Sequence, residues 1–497
     1  MTHPFIAFLH QHVRHRQAAE TAFHAAWWQA MVQGDEERIK RADRLMWDLH
    51  HLFTQPGMYD QLFQWSRDLP DDDPLLHRQM DLCLRDFFLG LMDQTVLKQL
   101  GGLEAEAARR VAEFTGRFEE RDVPGISLDM LLEHETVLSR RREAWEAKMS
   151  LGRHLVPLVV QMVALRNGEA RRLGHPDWFS LHLAQNDLDR PLLNRLAARI
   201  LEATDAPYQR LKAGLDREAL AGDGSLPFHH RDPWLKGLST PGGGHIPVAR
   251  PLSLARRLCE NHGMDIAAVL ADSDLKPRPH KGPEAFSLCI DRGRQVRIHA
   301  SITNDFKSLQ TLLHECGHAF YFLAIDPGLP YLLRTIAHPA LAEAVALFFE
   351  AQAHDLAHPA QAPAHKAREL LLLTRHSLLM FLFEQELYIA GMSIPQLNAR
   401  YRELSARVLM LNQPDGRDEP DWAAHTHLAL SPVYLPNYLL GLVLWGHLMD
   451  LPPCDTPERL RRLCAAGAGL HWRDLMLSVC GQGVSPEPLC RRFQEET

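Results

Sequence analysis

From residue 5 to about 220 the apolar positions recur at helical spacing, with charged residues filling the opposite face. The stretch from Asp129 to Gly174 is the clearest case, and the whole region reads as helical. Its breaks fall at 68–74 (DLPDDDP), 122–125 (DVPG) and 173–178 (LGHPDW), where Pro, Gly and Asp supply turns. The triple aspartate lacks EF-hand spacing and reads as a solvated loop. Between about 221 and 283 the pattern gives way to Gly, Pro and His around one short helix near 251–270. Gly242-Gly243-Gly244 has no following GK[ST] and no preceding strand, so it reads as a hinge or loop and not a phosphate cradle.

The segment 285–303 (AFSLCIDRGRQVRIHASIT) alternates like two short strands around a DRGR turn, and it is the only convincing strand signal. Residues 305–497 return to helix, with stops at 326–328 (DPG), Pro339, 412–420 and Pro432. The fold class expected is mainly α with a small β-sheet. The expected organisation is an N-terminal helical lobe over 1–220 and a second region over 221–497, with no internal repeat.

Composition narrows the partners. With 54 basic against 62 acidic side chains and a net charge of -8, there is no electrostatic case for nucleic acid. No 18-residue apolar run suggests a membrane span, and the first residues lack the apolar core of a signal peptide. A cytoplasmic protein is the expectation. The eight cysteines include no CxxC pair and read as reduced thiols.

Twenty-nine histidines make a metal site worth seeking and easy to find falsely. In 312–322 (LLHECGHAFYF), His314 and His318 lie four apart and share one helix face, so both imidazoles can reach one zinc ion. Glu315 is then placed beside a water on that ion. After the break at Asp326-Pro327-Gly328, a second apolar helix opens with Pro339 in its first turn. Consecutive helices on a short loop pack as neighbours, so Glu343 can complete a His2Glu set and leave one position open. His338 is a competing third ligand. Glu350, seven residues beyond Glu343, shares its face and is a candidate partner for a ligand histidine. Cys316 points about 200° around the helix from His314 and reads as core. The other His-Glu pair, His134-Glu135, has Leu138 where a second histidine would be needed, and carries no metal signal.

These residues resemble the gluzincin peptidases of the thimet oligopeptidase and oligoendopeptidase F family, together with the related angiotensin-converting-enzyme family. Those families use HExGH with a glutamate ligand on a following helix, matching His314, His318 and Glu343. The stretch 422–441 (WAAHTHLALSPVYLPNYLLG) is similar to the C-terminal oligoendopeptidase signature. Through that resemblance His427 takes the place of a substrate-binding histidine, and Tyr434 and Tyr438 those of paired tyrosines, Tyr438 being the first choice as oxyanion donor. Two departures stand out: Tyr321 where oligopeptidases carry another histidine, and Pro436 where oligoendopeptidases often have a third tyrosine.

The resemblance covers most of the chain from about 130 onward. It implies two mostly helical lobes around a deep channel, one Zn2+ per chain, and oligopeptide substrates cut by a Glu315-activated water. The segment 296–303 (VRIHASIT) is expected to offer a strand edge to an extended peptide. The alternative within enzymes is release of C-terminal dipeptides, which needs a carboxylate clamp such as Lys307 or Arg375. Outside enzymes, a silent peptide-binding relative is the rival.

Overall fold

The computed structural model describes residues 3–495 except 136, 220–248, 279–280, 282–283, 304, 358–361, 390, 412–415 and 453–454. The glycines 242–244, Cys454 and the side chains of His134 and Leu138 lie outside the described residues. The fold is mainly α, as the patterning predicted, and the described residues form two two-stranded antiparallel sheets where one small sheet was expected. Among the described residues no helix is long and apolar enough to cross a membrane.

Contacts divide the chain into two compact units that interleave along the sequence. Unit 1 comprises Met1–Met92, Gly244–Pro359 and Val443–Val484; unit 2 comprises Asp93–Gly243, Ala360–Leu442 and Ser485–Thr497. This division differs from the boundary expected near 220. Local periodicity identifies helices but carries no information about which distant helix each one packs on.

In unit 1 the N-terminal helix Pro4–Gln33 buries Phe5 and Leu9 against Leu62, Met80, Phe87 and Leu332. Asp73, from the triple aspartate, caps the helix Pro74–Leu89 by accepting from Leu76 N–H at 2.9 Å. The strand pair of this unit is β3 (Phe286–Cys289) and β4 (Val296–His299), in the register Phe286↔His299 to Cys289↔Val296. It is tied to the N-terminal helix by a buried charge. Glu20 accepts from Arg292 Nη2 at 2.9 Å, Arg16 Nε at 2.7 Å and the Tyr331 hydroxyl at 2.8 Å.

The outer edge of β4 is not open, contrary to the expectation for 296–303. Asp274 N–H donates to Ile298 O at 2.9 Å, Ala300 N–H to Asp274 O at 3.0 Å, and Ile298 N–H to the Ser273 hydroxyl at 2.7 Å. Backbone donors seek partners wherever water is excluded, and the irregular segment 273–275 supplies them here. Ile290 N–H bonds Gln295 O at 2.9 Å, which sets the alternation of the ladder. Ser287 and Cys289 therefore direct their backbone groups away from β4, and among the described residues no backbone hydrogen bond takes up that edge of β3.

Unit 2 holds a hairpin that the helical pattern did not predict, β1 (Thr115–Phe118) with β2 (Arg121–Pro124). Its two turn residues, Glu119 and Glu120, both have positive φ, 47° and 62°. Asn or Gly is the usual signal for such a turn, and two glutamates hide it. Glu119 is held by Arg140, and Glu143 accepts its backbone N–H at 2.7 Å. Elsewhere in the unit Arg375 is fully buried, donating to Val408 O at 2.6 Å, Thr204 Oγ1 at 3.1 Å and Asp205 Oδ1 at 2.7 Å.

The Glu20 cluster gives a prediction. Burial alone would raise the carboxyl, but Arg292 and Arg16 with their hydrogen bonds hold it below its ordinary value of 4.5. A depressed acid stabilises the fold above the unfolded-state value and loses that contribution as pH falls through the folded-state value. Glu20→Gln, leaving two arginines facing a neutral amide, should lower unfolding free energy at pH 7 by about 3 kcal/mol. Urea melts should show the gap to wild type narrowing below pH 4.5.

Candidate metal centre

Asp305 starts the motif helix Phe306–Ala324 by accepting from Ser308 N–H at 2.7 Å. Fourteen residues after its end, His338 caps the ligand helix Pro339–Glu350, its Nδ1 accepting from Ala340 N–H at 3.0 Å. That bond, and the Trp472 ring 5.3 Å away, give His338 a structural task; it is not in the ligand cluster. Tyr321 has one too: its phenol oxygen accepts from Ala337 N–H at 3.2 Å and so anchors the chain just before the ligand helix. The departure at this position thus has a packing role.

The two helices touch at Gly317. A Cβ there would lie 2.6 Å from Ala346 Cα and 3.0 Å from Val345 O, closer than atoms tolerate. Only glycine allows the approach, and Ala346 is three residues past Glu343, one turn along the same helix. The result is that His314, His318 and Glu343 each offer one ligand atom within 4.8 Å of the others. Among the described residues this is the one such group.

His314 Nε2 is 3.7 Å from Glu343 Oε2. Two ligands about 2.0 to 2.1 Å from a tetrahedral ion sit about 3.3 Å apart, so the pair is close to metal spacing. The His314 and His318 rings stand nearly perpendicular with centroids 4.9 Å apart. On its other nitrogen, Nδ1, His314 contacts Glu350 Oε2 at 2.8 Å, fixing the tautomer that leaves Nε2 for a metal. The seven-residue spacing that nominated Glu350 is explained by this contact. Two imidazoles and a carboxylate suit a borderline divalent ion such as zinc.

Glu315 is buried beside the triad. The Ser287 hydroxyl lies 2.8 Å from its carbonyl oxygen and 2.9 Å from its Oε2, so one proton serves two acceptors. Burial pushes the carboxyl up to about 7 against the pull of His314 and Ser287. Ser287 was not singled out from sequence; a serine within AFSLC carries no signal until β3 is seen to lie against the motif helix. Cys316 is fully buried with its thiol against that of Cys259, the core role expected of it.

The second group of sequence-derived residues belongs to unit 2. His427 is exposed and opens the short helix His427–Leu430. Tyr434 precedes the helix Leu435–Met449, and Tyr438 lies on its first turn. The His427 and Tyr438 rings are 6.0 Å apart, and those of Tyr434 and Tyr438 5.2 Å, both edge to face. Nearby, Tyr401 hydroxyl contacts His425 Nε2 at 2.8 Å, and the His376 ring lies 5.7 Å from that of His425. The bonds to Val408, Thr204 and Asp205 account for Arg375 as a packing cation, which removes it as a carboxylate clamp. Lys307 stands exposed on the first turn of the motif helix.

No protein-family model matches the chain, and no curated protein matches it. The family resemblance therefore stands on the residues quoted for it.

The Gly317 contact predicts a specific defect. Gly317→Ala must push the ligand helix away, lowering stability by about 1–3 kcal/mol. Because Glu343 moves with that helix, affinity for a divalent metal should fall further than in Glu350→Gln, itself expected to lose roughly 10- to 100-fold. Chelator-competition titrations on the two variants check the order.

Proposed function

We propose that the protein is a zinc metallopeptidase that hydrolyses peptide bonds in short oligopeptides. The observation that carries this reading is the His314, His318 and Glu343 triad with buried Glu315 beside it and Glu350 behind His314. A structural helix pair has no use for three metal donors converging with a fourth acid at their side.

A zinc ion held by His314, His318 and Glu343 would supply a Lewis acid for the scissile carbonyl and the attacking water. Glu315 takes the proton of that water and returns it to the leaving amine. The Ser287 hydroxyl steadies Glu315 meanwhile. The edge of β3 that no described residue pairs with carries Ser287, so an extended peptide adding to it by strand pairing runs past the base, recognised mainly through its backbone. The family resemblance gives Tyr438 the role of hydrogen-bond donor to the carbonyl oxygen as negative charge develops there, and Tyr434 and His427 that of substrate contacts. Internal cleavage is favoured over dipeptide release because Arg375, one of the two cations considered for a carboxylate clamp, is committed to packing.

Three outcomes are expected. Glu315→Gln should keep its metal and lose turnover by roughly 10²- to 10⁴-fold. Tyr438→Phe should cost roughly 10²- to 10³-fold, more than Tyr434→Phe. A mixture of short peptides with a folded protein control, read by mass spectrometry, should show internal cuts by the native enzyme alone. Successive loss of C-terminal dipeptides would move the assignment to the converting-enzyme type, and no cleavage by metal-loaded protein would sink it.

A further inference from the structure

The tyrosine pair is preceded by a turn that its own residues do not favour. Ser431-Pro432-Val433-Tyr434 is closed by Tyr434 N–H donating to Ser431 O at 3.2 Å, and Val433 in its third position has φ 58°. Pro suits the second position of such a turn, but positive φ at the third calls for Gly or Asn. Among the described non-glycine residues with positive φ, Val433 is the one that is β-branched, the side-chain type least tolerant of that region. Strain of this kind persists only where the surroundings impose it.

Against this turn lies a buried acid. Glu384, on the helix Ala362–Leu387, is fully buried and accepts the Val433 N–H at 2.6 Å. Its other oxygen, Oε2, has no hydrogen-bond partner among the described residues. A buried carboxyl is costly, and this one spends a single contact on the backbone of a turn. Burial also pushes the Glu384 carboxyl up to about 8, with the Val433 N–H and Arg166 opposing. The next turn follows directly: Asn437 N–H bonds Tyr434 O at 2.9 Å, opening the helix that carries Tyr438.

We propose that Glu384 is the positioning residue of the tyrosine pair, gripping Val433 in the left-handed region and thereby fixing where Tyr434 and Tyr438 stand. The part concerning turnover rests on the peptidase reading; the part concerning geometry does not. Glu384→Gln keeps an acceptor of the same shape and should behave as wild type. Glu384→Ala removes the grip and should lower kcat by roughly 10- to 100-fold, since Tyr438 is displaced as oxyanion donor, with a smaller rise in KM from the displaced Tyr434 contact. Val433→Gly, added to Glu384→Ala, supplies a residue that adopts positive φ unaided, and should restore kcat.

A readout without substrate separates the two levels. With 3-fluorotyrosine at the eight tyrosines, and resonances assigned by Tyr434→Phe, Tyr438→Phe and Tyr388→Phe, Glu384→Ala should shift or broaden the Tyr434 and Tyr438 ¹⁹F signals; Tyr388, four residues from Glu384 and in its field, moves as well, and the other five stay in place. The double variant should return the Tyr434 and Tyr438 signals. If Glu384→Ala does not fold, Glu384→Leu fills the space without an acceptor and carries the same expectation. Unmoved Tyr434 and Tyr438 signals in the folded variant, or no return in the double variant, overturn the proposal. A wild-type protein that cleaves nothing overturns the peptidase reading while the fluorine spectra still decide the role of Glu384.

Discussion

The closeness of two helices at Gly317 is the constraint on which the candidate centre depends. Metal ligands must converge to within a few ångströms, and side chains can make up little of a backbone separation set by bulky contacts. Here Gly317 lies between the two histidines and faces Ala346, so the same sequence segment supplies two donors and the gap that admits the third. The flanking residues Leu312, Leu313, Phe320, Val345 and Phe349 are fully buried and hold the crossing shut. Packing and chemistry are thus specified by one run of five residues.

In each unit, acids act as fasteners. Glu20 ties the N-terminal helix to the turn after β3, Glu350 orients His314, and Glu384 holds a strained turn in the other unit. Each binds a group that no apolar residue could hold in a defined direction. A hydrophobic contact would stabilise as well or better, but it would leave a ring or a backbone amide free to rotate. Direction is what a ligand histidine or an oxyanion donor requires.

Much of the centre was legible because helix geometry is so regular. Spacings of four and seven put His314 with His318, and Glu343 with Glu350, on shared faces wherever the helices went. The connection between them, residues 325–338 with a 3-10 turn at Tyr331–Leu333, is longer than the short loop expected, yet the helices are neighbours. The β3–β4 hairpin was legible for the same reason, its alternation bracketed by DRGR. The β1–β2 hairpin was not, because its turn uses Glu119 and Glu120 at positive φ, where the usual glycine or asparagine is missing. The covering of β4 by 273–275 was equally hidden, since an irregular segment leaves no periodic trace. Ser287, Glu384 and the division into units all depend on contacts between distant stretches, and a one-dimensional pattern does not encode those.

Interleaving of the two units has a consequence for synthesis. Arg78 donates to Ala468 O across 390 residues, and Asp326 N–H bonds Ala465 O, so unit 1 draws on chain made long after the triad itself. A ribosome adding about 5–20 residues per second leaves His314, His318 and Glu343 waiting several seconds for the segment 443–484. The nascent chain thus carries converging metal donors before their compartment is sealed. Neither unit can be excised as a contiguous fragment, and closure of the unit that holds the candidate centre waits on synthesis through Val484.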